Sequence, residues 1–383
     1  MRLTIPLMLH AGLLSVGLLG CGDKDVDDTA PPEGDTDTDT DTDTDTDADS
    51  DADTDADSDA DTDADVDAVL AFEIDGEWTN TAMSLSWFLP GGEMDFSNTF
   101  WEGEVTSASF GIDPGVVPAE QIVEVEPGLS IAMYIPALFE DADGDTIHDD
   151  DELVVGVGHY WPVWVQGDPP SEFADLGLVA GWNALELDFD SEGEFSVGDP
   201  MSIPLSAALW PTMELEIGGS YTGIQPLGEQ RLALLSGVAM EGGDLSELLY
   251  DDALTDPWAI TVSGPAPESH LVDQDEFGLT MAWEYPLAYL DNDSSGAPSK
   301  GDLPTNFACL DRDYVLLYWM EPAVSIETAF YFEYAWASYG WSPGWFAAAV
   351  DPMTSEPMPY ALEAADLTTL ELSAICNPWG GPP

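Results

Sequence analysis

Apolar and polar positions alternate over short runs punctuated by Gly and Pro, and no long 3.6-residue period runs through the chain. Phe72-Glu73-Ile74, Ser84–Phe88, Ile131–Ile135 and Leu185–Phe189 read as strands in the first half. Met213–Ile217, Trp258–Val262 and Leu370-Glu371-Leu372 read the same way in the second. One helical turn is expected around Leu245–Leu249. The patterned region starts at residue 68 and is long enough for two ordinary domains. It predicts an all-β body made of two tandem, related β-sandwich domains.

The two halves repeat each other. Residues 131–141 (IAMYIPALFED) align with residues 281–291 (MAWEYPLAYLD), matching Ala132 to Ala282, Pro136 to Pro286 and Asp141 to Asp291. Ile74–Trp78 resembles Ile217–Tyr221, Gly181-Trp182-Asn183 resembles Gly340-Trp341-Ser342, and Asp199–Ser202 resembles Asp351–Thr354. Islands in the same order in both halves indicate a tandem duplication, with domains at 68–208 and 209–383.

The first 67 residues break the β pattern. Arg2 precedes a mostly apolar run from Leu3 to Leu19, which ends in Leu18-Leu19-Gly20-Cys21. The run is too short, and too interrupted by Pro6, His10 and Gly12, for a membrane span. Its last four residues resemble the lipobox of bacterial lipoproteins. That resemblance implies a signal peptide over residues 1–20, cleavage before Cys21 and acylation of the Cys21 sulfur. Several acyl chains on one residue hold firmly, at about 0.8 kcal/mol per buried CH₂. Gly22, where inner-membrane retention often shows Asp, implies an outer-membrane location. The rival is an ordinary secretory signal with a chance Cys.

Residues 21–67 hold almost no large apolar side chain, and Asp occupies every odd position from Asp35 to Asp67. Such a segment cannot bury enough surface to offset its ordering entropy, and its like charges extend it. A disordered acidic stalk is expected, its alternating part reaching about 110 Å when fully stretched. A loose cation sponge is the sharper alternative.

The formal net charge is −72, and removing the seventeen alternating Asp from −72 still leaves −55. From residue 68 on, the only Lys or Arg are Arg231, Lys300 and Arg312. Nucleic acid is excluded as a partner, because phosphate neutralisation needs a basic face. The surface favours cations, cationic partners or neutral ligands such as carbohydrate. Cys309 and Cys376 remain after Cys21 and are expected to form a disulfide in an oxidising compartment. Two buried free thiols are the alternative. There is no CxxC, and His10, His148, His159 and His270 form no cluster spaced for zinc.

Residues 141–152 read DADGDTIHDDDE. Asp141, Asp143, Asp145, Asp149 and Glu152 fall at positions 1, 3, 5, 9 and 12, and Ile147 at position 7 offers its carbonyl. The segment resembles the EF-hand loop and, more closely, the Asp-rich loops of thrombospondin type 3 repeats. Ca²⁺ takes six to eight oxygens, and alternating Asp on a tight turn aims them inward. Thr146 stands at position 6, where the EF-hand has Gly, and a β-branched residue at positive φ is strained. Pro136 before the loop and Val154-Val155 after it predict a strand–loop–strand site. The rival reading is a merely acidic surface turn. The duplicate, residues 291–302, reads DNDSSGAPSKGD. Asp291, Asp293, Ser295, Ala297 (through its carbonyl) and Asp302 take positions 1, 3, 5, 7 and 12. Gly296 fills position 6, and Ser299 takes position 9. Fewer carboxylates and Lys300 predict weaker binding there, or a plain turn.

Gly340-Trp341-Ser342-Pro343-Gly344 matches the G-x-S-x-G pattern of serine hydrolases but fails it. Pro343 has no N–H for an oxyanion hole, and no His follows Ser342. Phe330, Phe332, Tyr334 and Trp336 alternate with Tyr331, Glu333, Ala335 and Ala337 and read as a strand with four aromatics on one face. That face is either sandwich core or an exposed platform for a carbohydrate or protein ligand. The whole predicts a non-enzymatic, lipid-anchored envelope protein whose Ca²⁺-stabilised β domains serve binding, adhesion or a structural role. The rival is an enzyme acting on polysaccharide through a carboxylate pair.

Overall fold

The computed structural model describes residues 69–88, 98–149, 151–188, 194–222, 228–242, 248–274, 279–296, 299, 302–351 and 359–376. The signal segment, Cys21, the acidic stalk, Ala297 and Lys300 lie outside these residues. The body is all-β and carries two sandwich-type repeats.

The first repeat runs β1 (Leu70–Gly76), β2 (Thr81–Phe88), β3 (Thr99–Glu104), β4 (Ser109–Ile112), β5 (Val123–Glu126) and β6 (Leu129–Glu140). It continues with β7 (Val154–Val157), β8 (Tyr160–Gln166), α1 (Ser171–Ala174), β9 (Gly181–Asp188), β10 (Glu194–Gly198) and β11 (Ile203–Ala207). The second runs β12 (Glu214–Thr222), β13 (Glu229–Ser236), α2 (Gly237–Gly242), β14 (Leu248–Ala253), β15 (Trp258–Ser263), β16 (Val272–Gln274) and β17 (Leu279–Asp291). There follow β18 (Leu303–Leu310), β19 (Asp313–Met320), α3 (Ile326–Tyr331), β20 (Gly344–Val350), β21 (Tyr360–Ala361) and β22 (Leu370–Ser373).

The pairing repeats strand for strand. β1 lies parallel to β11 and antiparallel to β4; β12 lies parallel to β22 and antiparallel to β15. β6 is the hub of the first large sheet, paired with β2, β5, β7 and β8. β17 is the hub of the second, paired with β13, β16, β18 and β19. A 3-10 turn at Ala119–Gln121 precedes β5, and its counterpart at Glu268–His270 precedes β16. In the second repeat β18 also pairs with β22, which joins the small sheet to the large one.

Two shared prolines explain the division of the hub strands. Pro has no N–H to give to a ladder. β6 pairs with β8 over Ser130–Met133 and with β7 over Ala137–Phe139, on either side of Pro136. β17 pairs with β19 over Met281–Glu284 and with β18 over Leu287–Leu290, on either side of Pro286. A register shift follows each proline, and each hub strand then runs out into an acidic loop.

The equivalences correct two matches drawn from sequence. β9 and β20 both start on a glycine of positive φ followed by Trp, so Gly181-Trp182 corresponds to Gly344-Trp345 and not to Gly340-Trp341. Asp199 follows β10, whereas Asp351 follows β20 and precedes β21, so these two are not equivalent. Most of the helical turn expected around Leu245–Leu249 lies outside the described residues. α2 ends at Gly242, and Leu248 already belongs to β14.

Side chains of the hub strands alternate between two cores. Ala132, Tyr134 and Leu138 face the small sheet and pack with Leu70, Phe72, Ile203 and Leu205. Ile131, Met133 and Ile135 face away, into a core that also contains Leu316, Tyr318, Met320, Phe330, Phe332 and Phe346 of the second repeat. The repeats therefore share a core in addition to one sandwich interior each.

The aromatic strip lies in that shared core and is not a strand. α3 continues through a π turn (Phe332–Trp336) and a 3-10 turn (Ala337–Tyr339). Ser325 caps its start, its Oγ accepting from Thr328 N at 3.1 Å, and Gly340 ends it at φ 72°. Aromatics four apart then meet: the Phe330 and Tyr334 rings lie 4.4 Å apart and those of Phe332 and Trp336 5.0 Å apart. Phe330, Phe332 and Trp336 are buried, so they form no exposed platform. Tyr334 Oη donates to Gly158 O at 2.8 Å and accepts from Trp161 Nε1 at 3.0 Å, both in the first repeat. Beside it, His159 Nε2 lies 2.5 Å from Glu333 Oε1 across the seam, and that bond pushes the His159 pKa up. Cys309 and Cys376 are joined by a disulfide near the C-terminal end of the described chain.

Candidate metal centres

Each hub strand ends in one of the two acidic loops. Residues 141–152 link β6 to β7, and residues 291–302 link β17 to β18. Both are strand–loop–strand elements, with no flanking helix pair.

The twelfth position does the same work in both. Glu152 Oε1 accepts from Ala142 N at 2.7 Å, and its Oε2 accepts from Asp149 N at 3.2 Å. Asp302 Oδ1 accepts from Asn292 N at 2.8 Å, and its Oδ2 accepts from Ser299 N at 2.7 Å. Each carboxylate thus brackets positions 2 and 9 from inside the loop, and both are buried. The backbone N–H of position 12 returns the bracket, donating to Asp149 O and Ser299 O respectively.

The first position folds the loop back on itself. Asp141 Oδ1 accepts from Gly144 N at 2.9 Å and Thr146 N at 3.4 Å. Asp291 Oδ1 accepts from Ser295 N at 3.1 Å and Oδ2 from Gly296 N at 2.8 Å. Position 6 is left-handed in both loops, at φ 66° for Thr146 and φ 74° for Gly296. Thr146 therefore accepts the strain expected of it, and the turn keeps its form.

These bonds gather carboxylates of the same loop. Oxygens of Asp141, Asp143 and Asp145 lie within 4.8 Å of one another, as do those of Asp291, Asp293 and Asp302. Either trio can hold a cation. The carboxylates of Asp149 and Glu152 do not belong to the first trio, and Ile147, at position 7, donates its N–H to Asp145 Oδ1 at 2.8 Å. Ser295 stands beside the second trio and donates its N–H to Asp293 Oδ1 at 3.0 Å. Its hydroxyl is the main cause holding the Asp293 carboxyl below the usual carboxylate range.

Sequence reading missed two polar contacts outside the loops. One is the His159–Glu333 pair at the seam; the other is a buried His270–Glu284 pair, with Nδ1 and Oε1 2.7 Å apart. The alignment of residues 131–141 with 281–291 carried the signal for the second, since it sets Glu284, an acid on a core face, against Tyr134.

No family model matches the chain, and no curated protein matches it. Among solved structures, a C-terminal fragment of the pilus adhesin SpaC from Lactobacillus rhamnosus GG is similar at 11% identity, covering 63% of this chain and 92% of that one. Its TM-score is 0.13, too low to carry a conclusion about fold or function.

Proposed function

We propose that this chain is a lipid-anchored protein of the bacterial cell envelope whose two-repeat β body is rigidified by Ca²⁺ and serves binding or adhesion without catalysis. The observation that carries the calcium reading is the duplicated bracket. In two loops of different composition, the same position-12 carboxylate fixes the same two backbone amides and leaves a trio of carboxylates together. Hard oxygen ligands in a compact turn suit Ca²⁺ better than softer metals. Cys21 supplies the anchor and the acidic stalk holds the body off the membrane, as the lipobox resemblance implies. The shared core favours a rigid module over two independently swinging ones. Surface charge favours a neutral ligand such as carbohydrate, or a cationic protein. A groove of about 370 Å³ beside Trp258 has one carboxylate in its lining, Glu216, and so gives the glycosidase rival no support.

Calcium should raise the thermal midpoint of the full chain and EDTA should lower it, with Asp141→Ala and Asp291→Ala each removing part of the difference. A midpoint indifferent to chelator overturns the reading. Cys21→Ser should move the protein out of the detergent phase on partitioning; unchanged partitioning removes the anchor.

A further inference from the structure

The 3-10 turns at Ala119–Gln121 and Glu268–His270 are equivalent, and so are the hub strands they lie against. In the first repeat the contact between them is neutral: Tyr134 Oη donates to Gln121 Oε1 at 2.8 Å. In the second, the corresponding residues are Glu284 and His270. Glu284 is wholly buried and His270 is 3% exposed. The neighbouring position changes as well. Trp87 pairs across β2–β6 with Tyr134 and donates its indole N–H to Gln121 O. Ser236 holds that place against Glu284. The small hydroxyl does not satisfy the acid: Ser236 Oγ and Glu284 Oε2 are both buried without a partner among the described residues.

We propose that His270 and Glu284 hold one shared proton inside the second sandwich, tying residues 268–274 to β17, and that this tie loosens as pH rises above neutrality. The chemistry follows from burial. A carboxylate and an imidazole with no water between them are stable as a pair carrying one proton, whichever atom holds it. Burial pushes the Glu284 carboxyl up, and His270 opposes the shift. Once the segment opens, the groups return to about 6.5 for His and about 4.3 for Glu. Between about pH 4.3 and 6.5 the open pair also carries one proton, so opening is indifferent to pH. Above that range the open pair releases the proton and the closed pair keeps it. The opening constant then rises by about tenfold per pH unit until the closed pair also deprotonates.

Among the described residues, other charges near the pair are few. Glu284 is flanked by Ser236 on β13 and Leu317 on β19, and His270 is the one titratable group whose charge acts on it among the described residues. Glu268 on the turn and Asp273 on β16 are exposed, and Asp273 accepts from Thr280 Oγ1. Glu321, beyond β19, is half-buried. α2 packs against the turn and holds one acid, Glu241, whose side chain is outside the described set.

Hydrogen exchange of the full chain, corrected for intrinsic rates, tests this at fixed calcium. Between pH 7 and 8.5 the opening constant of residues 268–274 should climb by about tenfold per unit while that of residues 119–126 stays level. Glu284→Gln keeps the shape and a bond to His270 but removes the shared proton, and should flatten the slope. The double variant His270→Gln, Glu284→Tyr installs the first repeat's pair and should flatten it too. Equal slopes in the two segments, or a slope that survives Glu284→Gln, overturn the proposal. Should both variants fail to fold, the wild-type His270 ring resonance decides: it should titrate above the free value, and titration at or below about 6.5 overturns the proposal.

Discussion

The first acidic loop offers more carboxylates; the second buries more of the ones it uses. In residues 141–152 the gathered acids sit at positions 1, 3 and 5, and Asp143 and Asp145 are exposed. In residues 291–302 they sit at positions 1, 3 and 12, and Asp291 and Asp302 are 2% and 3% exposed. Counting acids ranks the first loop as the stronger site. Burial reverses that ranking. A carboxylate taken out of water needs compensation, and among the described residues no Lys or Arg pairs with Asp291 or Asp302. Their backbone amides supply part of it, and a cation would supply the rest. The second loop is therefore the one whose folded state should depend more on calcium.

The largest effect expected from this difference is at position 12. Glu152→Ala and Asp302→Ala each leave two backbone N–H groups without their acceptor, a loss of about 3 kcal/mol for two bonds to a charged group. In EDTA the two variants should cost nearly the same in a denaturant titration of the full chain. In saturating calcium Asp302→Ala should cost more, because Asp302 belongs to its trio and Glu152 does not. Equal costs in calcium would break the comparison.

Position 6 should give a smaller and opposite pair of effects. Thr146 and Gly296 share a left-handed backbone, which costs a side-chain-bearing residue about 1–2 kcal/mol. A Cβ on Gly296 would meet nothing within 4 Å, so Gly296→Thr should pay conformational strain alone, about 1 kcal/mol. Thr146→Gly should relieve that strain, less the added freedom of the unfolded chain, for a net gain of about 0.5 kcal/mol. Calorimetric calcium affinities should move the same way. A Thr146→Gly variant that binds more weakly would mean the first loop draws on its threonine in a way the backbone does not show.

Much of this was legible in the sequence, and the failures have physical causes. Trp258–Val262 was readable because one face is buried, which imposes a period of two, and Ile131–Ile135 was readable as a short apolar run because both of its faces are buried. The loops were readable because position 12 follows position 1 at fixed spacing, and both loops keep the bracket this implies. The strip from Phe330 to Trp336 misled because an alternating aromatic pattern also satisfies contacts four residues apart on a helix. Ser325 and Gly340, its cap and its stop, were the better signal and lay outside the alternating window. Burial of Asp291 and Asp302 was not readable at all. The two residues sit where β17 and β18, paired from Leu287 to Leu290 with a register shift after Ala288, pass into the loop, and that pairing is a property of the sheet, not of the loop's own residues.

Position 9 should give the smallest effect and the cleanest view of charge. Asp149 and Ser299 hold the same backbone place, each donating its N–H to the position-12 carboxylate and accepting from the position-12 amide. Exchanging their side chains leaves that bracket intact and changes one exposed or half-buried charge, together with the bond that the Ser299 hydroxyl makes to Asp293. An exposed carboxylate a few ångströms from a cation contributes about 1 kcal/mol, or roughly fivefold in Kd. Ser299→Asp should therefore tighten calcium at the second loop by about that factor, and Asp149→Ser should loosen the first by the same. Both changes should fade in high salt, where exposed charges are screened. A change that is large and indifferent to salt would place position 9 among the buried ligands, and would undo the distinction between a loop that works by number and a loop that works by burial.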